Sequence, residues 1–117
     1  MATYSKGLLS GSTQGKQIKV AATATAGTLI HTAVTGTTDL DEIWLYAVNS
    51  SSSTVKLTIE WGEATAPDGN IEVSIAAEDG YTLVVPGLLL QNGLVVRAFA
   101  SSANVILING YVNRIDA

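Results

Sequence analysis

Between residues 55 and 61 the chain reads Val-Lys-Leu-Thr-Ile-Glu-Trp, with an apolar side chain at every second position. Val55, Leu57, Ile59 and Trp61 point one way and Lys56, Thr58 and Glu60 the other, the period of a β-strand with one wet face. The run before it is apolar on both sides: Ile43, Leu45 and Ala47 share one face, Trp44, Tyr46 and Val48 the other. Such a strand is either central in a covered sheet or half-buried by another subunit. A polar connection from Asn49 to Ser53 joins the two runs. The stretch from Glu42 to Trp61 is therefore expected to be a β-hairpin carrying both tryptophans.

The rest of the chain repeats this rhythm, and no stretch sustains a helical period. Gln17 to Thr23 and Thr28 to Val34 read as the first strands, bounded by Gly27 and by Gly36-Thr37-Thr38-Asp39. In Pro67-Asp68-Gly69 the proline presets φ and the glycine supplies a positive one. Ile71, Val73 and Ile75 then alternate with Glu72 and Ser74. Tyr81 to Val85 follows, and Pro86-Gly87 marks a strand end or an edge, because proline cannot donate to a sheet ladder. Leu88 to Leu90 leads into Asn92-Gly93, a hairpin signal. Leu94 to Ala100 and Asn104 to Ile115 are the last two strands. About eight short strands at close spacing predict an all-β fold, an antiparallel β-sandwich. Jelly-roll-like and immunoglobulin-like strand orders both need about this number of strands, so both stay open.

At 117 residues the chain makes one domain. Apolar residues account for 47% and charged residues for only 14%, against about 25% charged in an ordinary domain. The polar surface must then consist of Ser, Thr, Asn and Gly. That surface is poor at keeping a chain apart from its neighbours, so the chain is expected to pack against other protein. The net charge is -4 and the six basic residues are scattered, which argues against nucleic acid as a partner. No apolar run approaches the roughly 20 residues of a membrane-spanning helix, so no membrane partner is expected. Cysteine is absent, which removes disulfides and thiolate metal sites. Residues 1–16, with Tyr4, Leu8 and Leu9 among Ser, Thr and Gly, read as an extended arm in front of a domain at 17–117. The arm lies either on a neighbouring subunit or along its own domain.

Candidate sites are few, and no cofactor or metal is expected. His31 is the single histidine and has no His, Cys or carboxylate near it at ligand spacing; a triad or zinc site needs such partners, so a structural role is expected. Asp39, Asp41 and Glu42 offer oxygen ligands but lack the glycine-punctuated loop of a calcium site. Glu60 and Glu63 flank Trp61 like the paired carboxylates of a glycosidase. Glu60, however, falls on the polar face of its strand and nothing forces the two to converge. Trp61 is expected in the core. Trp44 and Tyr46 are the better surface candidates, and subunit contacts and sugar platforms both use such rings. No acid, base and nucleophile can be placed together, so no enzyme emerges.

Four segments carry a resemblance: Met-Ala-Thr-Tyr-Ser-Lys-Gly-Leu-Leu-Ser-Gly-Ser at the start, His-Thr-Ala-Val at 31–34, Asp-Glu-Ile-Trp-Leu-Tyr-Ala-Val-Asn at 41–49, and Gly-Tyr-Val-Asn-Arg-Ile at 110–115. Together they resemble the small virion proteins of tailed bacteriophages, and most of all the head decoration (cement) proteins. That resemblance implies a compact β-sandwich made in the host bacterial cytoplasm and placed on the capsid surface. It implies the major capsid protein as partner, self-association as a trimer, and shell stabilisation across lines of weakness. On this reading Tyr4, Leu8 and Leu9 of the arm, with Trp44 and Tyr46, are the contact residues. A tail, neck or baseplate component is the alternative structural role, and a glycan-binding module with Trp44 and Tyr46 as platform is the alternative from another class.

Overall fold

The structure, a computed structural model, describes residues 3–116, so the first two residues of the expected arm lie outside it. Among the described residues there are nine strands and no helix. They are β1 (Thr3–Gly7), β2 (Ile18–Lys19), β3 (Thr28–Thr32), β4 (Leu40–Asn49), β5 (Val55–Trp61), β6 (Asn70–Ile75), β7 (Thr82–Leu90), β8 (Val95–Ala100) and β9 (Ile106–Asp116). The pairing is nested: β5 with β6, β4 with β7, β3 with β8 and β2 with β9, all antiparallel. This is a long ribbon whose tip is the β5–β6 hairpin. Rolling the ribbon brings β4 against β9 and β5 against β8. The result is one sheet ordered β2-β9-β4-β7 and another ordered β3-β8-β5-β6, with β1 prolonging the β2 edge along β9. That order is the jelly roll and not the immunoglobulin arrangement.

Strand periodicity sets what lies between the sheets. Ile43, Leu45 and Ala47 of β4 meet Leu57 and Ile59 of β5, Val96 and Ala98 of β8, and Ile106, Ile108 and Val112 of β9 in one buried cluster. Each large aliphatic side chain taken from water contributes about 1.5–3 kcal/mol. The two outer faces take the alternate residues, as the double-sided apolar pattern of β4 requires.

Several sequence expectations are corrected. β4 and β5 do not pair; the connection between them crosses from one sheet to the other. Buried Asn49 makes that crossing. Its Nδ2 donates to the carbonyls of Ser53 (2.8 Å) and Ile75 (3.0 Å), and its Oδ1 accepts from the Ser51 amide at 2.9 Å. Asn92-Gly93 does form a tight turn, with φ of 63° and 67°. Its amides, however, donate to the Gly36 and Val34 carbonyls, and the turn passes between sheets. The first expected strand shrinks to Ile18–Lys19. Pro86 does not end a strand but sits inside β7, the outermost strand of its sheet, which is the edge position that the sequence also allowed.

At the centre of the first sheet β9 comes unusually close to β4. A Cβ placed on Gly110 would lie 1.9 Å from the Trp44 carbonyl oxygen. The Gly110→Ala variant should therefore lose about 1–3 kcal/mol of stability or more, read as a lowered urea midpoint with an unchanged m-value. A midpoint equal to that of the parent protein would show that the close approach is not required.

Candidate functional site

The outer face of the β1-β9-β4-β7 sheet gathers most of the aromatic side chains. Register places Tyr46 opposite Asn109, Trp44 opposite Tyr111 and Glu42 opposite Asn113, while Trp44 also faces Pro86. Trp44 is held from three sides. Its Nε1 donates to Glu42 Oε1 at 2.8 Å, and its ring stacks on Tyr111 with centroids 6.0 Å apart and planes at 16°. It also lies on the backbone of Gly87, where a Cβ would come within 2.8 Å of the indole. Asn113 Nδ2 donates to the same Glu42 oxygen at 2.9 Å. The Asn113 bond first, and the Trp44 bond second, hold the Glu42 carboxyl below its ordinary range. Lys6 Nζ sits 4.9 Å from the centroid of Tyr111, a cation–π contact.

Beside this packed group the face opens into a cleft of about 370 Å³ lined by Tyr46, Tyr81, Asn109, Gly110 and Tyr111. Tyr46 and Tyr81 stand edge to face, centroids 6.3 Å apart and planes at 72°. The Tyr81 hydroxyl donates to Gln17 Oε1. Asn109 is fixed at both ends of its amide, Nδ2 donating to the Gly15 carbonyl at 3.3 Å and Oδ1 accepting from the Gly110 amide at 2.9 Å.

A polar cluster closes one end of the sandwich. Asp41, on the inner face of β4, is fully buried. Its Oδ1 accepts from Arg114 Nε (2.7 Å), and its Oδ2 from Arg114 Nη2 (3.0 Å), His31 Nε2 (2.8 Å) and the Val34 amide (3.0 Å). The Ser10 amide donates to His31 Nδ1 at 3.0 Å. The neutral imidazole therefore carries its proton on Nε2, and both ring nitrogens are occupied. No nitrogen is left to serve a substrate or a metal, which makes His31 a structural linker between the arm, β3 and β4. Burial pushes the Asp41 carboxyl up, but the hydrogen bonds from Arg114 and His31, with the charge of the guanidinium, outweigh it and hold the group below its ordinary value. Asp41 and Glu42 point to opposite faces of β4 and have separate partners, so these two carboxylates do not converge.

Glu60 also departs from its expected place. It lies on the outer side of β5 yet is only 1% exposed, because the segment around residues 25–27 folds over it. The Thr25 hydroxyl donates to Oε2 at 2.5 Å and the Gly27 amide to Oε1 at 2.7 Å. Its carboxylate anchors a loop. Trp61, expected in the core, is partly buried against it.

Of the contact residues expected from the sequence, Tyr4 (74% exposed) and Leu8 (58%) face solvent, whereas Leu9 is 2% exposed and belongs to the chain's own core. The arm turns inward at Leu9 because the Gly11 amide donates to the Ile30 carbonyl at 2.9 Å and the Ser10 amide reaches His31. Tyr46 lines the cleft and Trp44 lies next to it, immobilised. Tyr81, Asn109 and Tyr111 were not singled out by the sequence. The alternation of Leu107, Asn109 and Tyr111 with buried Ile106 and Ile108 is the signal that places Asn109 and Tyr111 on the outer face. Compared with protein-family models, with curated proteins and with solved structures, the chain matches none.

The Asp41 cluster carries an acid signature. Since the folded carboxyl titrates below its ordinary value near 3.8, its stabilising contribution is complete above that pH and is lost as the pH falls through the lower folded value. The Asp41→Asn variant should lose about 2–4 kcal/mol at neutral pH, because buried donors are left opposite an amide. Its urea midpoint should also vary less with pH below about 4 than that of the parent protein. Parallel pH profiles would show that Asp41 does not supply the acid dependence.

Proposed function

We propose that this chain is a structural protein of a tailed-phage virion, a head decoration protein that binds the major capsid protein and associates with itself as a trimer. The observation that carries this reading is the open edge formed by β1. Thr3–Gly7 is the last strand of its sheet, paired with β9 on one side only and exposed at all five positions. An unpaired strand edge is a template for another chain. Proteins that stay alone blunt such edges with charge, proline or a bulge. The only charged side chain of β1, Lys6, is drawn over the Tyr111 ring, and Tyr4 and Leu8 remain bare. Strand addition at such an edge gives affinity through backbone hydrogen bonds with little demand on side-chain chemistry. This suits a surface with 14% charged residues.

Leu9 belongs to the chain's own core, so within the arm the proposed contact residues are Tyr4, Leu8 and the backbone of β1, with Trp44 and Tyr46 on the sheet face. The test is the solution mass of the purified chain by light scattering, followed by co-sedimentation with expanded capsids of the phage that carries its gene. Trimers that co-sediment are expected. Replacing Tyr4 and Leu8 together by Ser should cut capsid occupancy about tenfold or more, equivalent to at least about 1.4 kcal/mol, while leaving the urea midpoint in place. A monomer that ignores capsids, or a double variant with full occupancy, overturns the reading.

A further inference from the structure

We infer that the cleft between Tyr46, Tyr81 and Tyr111 is a binding site for a neutral saccharide. This goes beyond an assembly role and uses the face of the sheet, whereas the assembly proposal uses the β1 edge. About 370 Å³ of space lies within the range of small-molecule sites, roughly 300–1,000 Å³. Three of its five lining residues are tyrosines, whose rings supply apolar planes and whose hydroxyls supply polar tips. A sugar ring has the matching make-up, with patches of C–H on its faces and hydroxyls around its rim.

The polar groups are already oriented. Asn109 spends one N–H on the Gly15 carbonyl and one lone pair on the Gly110 amide. A carboxamide has two donors and two lone pairs, so one of each remains, on a side chain that cannot swing away. The Tyr81 hydroxyl is directed by Gln17, and the Tyr81 ring is set nearly at right angles to Tyr46. Such a fixed donor–acceptor pair beside aromatic walls is suited to vicinal hydroxyls. Pre-ordering also lowers the entropic cost of binding.

Charge decides against the other ligands that aromatic clefts take. A quaternary ammonium group needs rings free of competing cations and gains from a nearby carboxylate. Here Lys6 already sits over Tyr111, and the lining contains no carboxylate. Glu42, an acid on the same face, is committed to Trp44 and Asn113. An anion would find no cation in the lining itself, only Lys6 beside it, already engaged by the Tyr111 ring.

The test titrates the purified full chain with neutral oligosaccharides of glucose, galactose, mannose and N-acetylglucosamine, following backbone amide shifts by NMR. One series should shift Asn109, Gly110 and Tyr111 saturably. Tyr81→Ala and Asn109→Ala should each weaken that binding about tenfold or more, while Tyr81→Phe, which keeps the ring, should retain most of it. Tyr81 is 55% exposed, so its variants test the cleft without disturbing the core. Three outcomes overturn the inference: no saturation by roughly 50 mM of any sugar, binding unchanged in both alanine variants, or saturation by tetramethylammonium in place of the sugars. Capsids take no part in the measurement, so its failure and the failure of the assembly reading are separable.

Discussion

A single buried carboxylate joins the two layers of this sandwich. Asp41 comes from the β4 sheet, His31 from the facing sheet and Arg114 from β9, and all three meet at two oxygen atoms. A charge so deeply buried is tolerated only when it is paired and its lone pairs are filled. Here four donors fill them. Apolar packing tells the sheets to face each other but is indifferent to a small slide of one over the other. The Asp41 bonds have no such tolerance. They fix where β3 crosses β4, and through His31 and Ser10 they fix where the arm enters. The β1 edge and the aromatic face inherit their positions from that anchor.

The ribbon topology explains why so little of the surface belongs to one segment. Consecutive strands lie in opposite sheets except for β1 with β2 and β5 with β6. Each face is therefore assembled from distant parts of the chain. The cleft draws Tyr46 from β4, Tyr81 from the entry to β7, and Asn109 and Tyr111 from β9. The same arrangement separates two surfaces that could otherwise compete. The backbone edge of β1 is available sideways, while the rings of β4 and β9 look outward.

Alternation was the strongest signal in the sequence, and it served well for what it describes. The two-sided character of β4 and the inward set of Val55, Leu57 and Ile59 follow from side chains pointing to alternate faces. What alternation does not contain is pairing. Nothing in the residues 49–53 distinguishes a turn within a sheet from a crossing between sheets; Asn49 decides it by bonding to Ile75, which is far away in sequence. The Asn92-Gly93 turn shows the same limit, since a tight reversal leaves open which strands it joins. Glu60 read as a wet residue because its strand face is polar, and the loop that covers it is recruited by the carboxylate itself. Of the aromatic face, Trp44 and Tyr46 were legible because they share one strand. For Asn109 and Tyr111 alternation gives the face but not the neighbours, which come from register, and Tyr81 lies outside the strands.

The position of β9 has a consequence for how the chain is made. It is the inner partner of β4, β1 and β2 at once, and it follows all of them in chain order. A ribosome delivers the tip hairpin, then β7 onto β4, then β8 between β3 and β5, all before Ile106 appears. Until that point β4 offers a bare strand edge in the middle of a future sheet, the kind of edge on which chains aggregate. Folding of the first sheet must wait for β9, and while the chain between Asn49 and Ile106 is made, one edge of β4 stays unguarded.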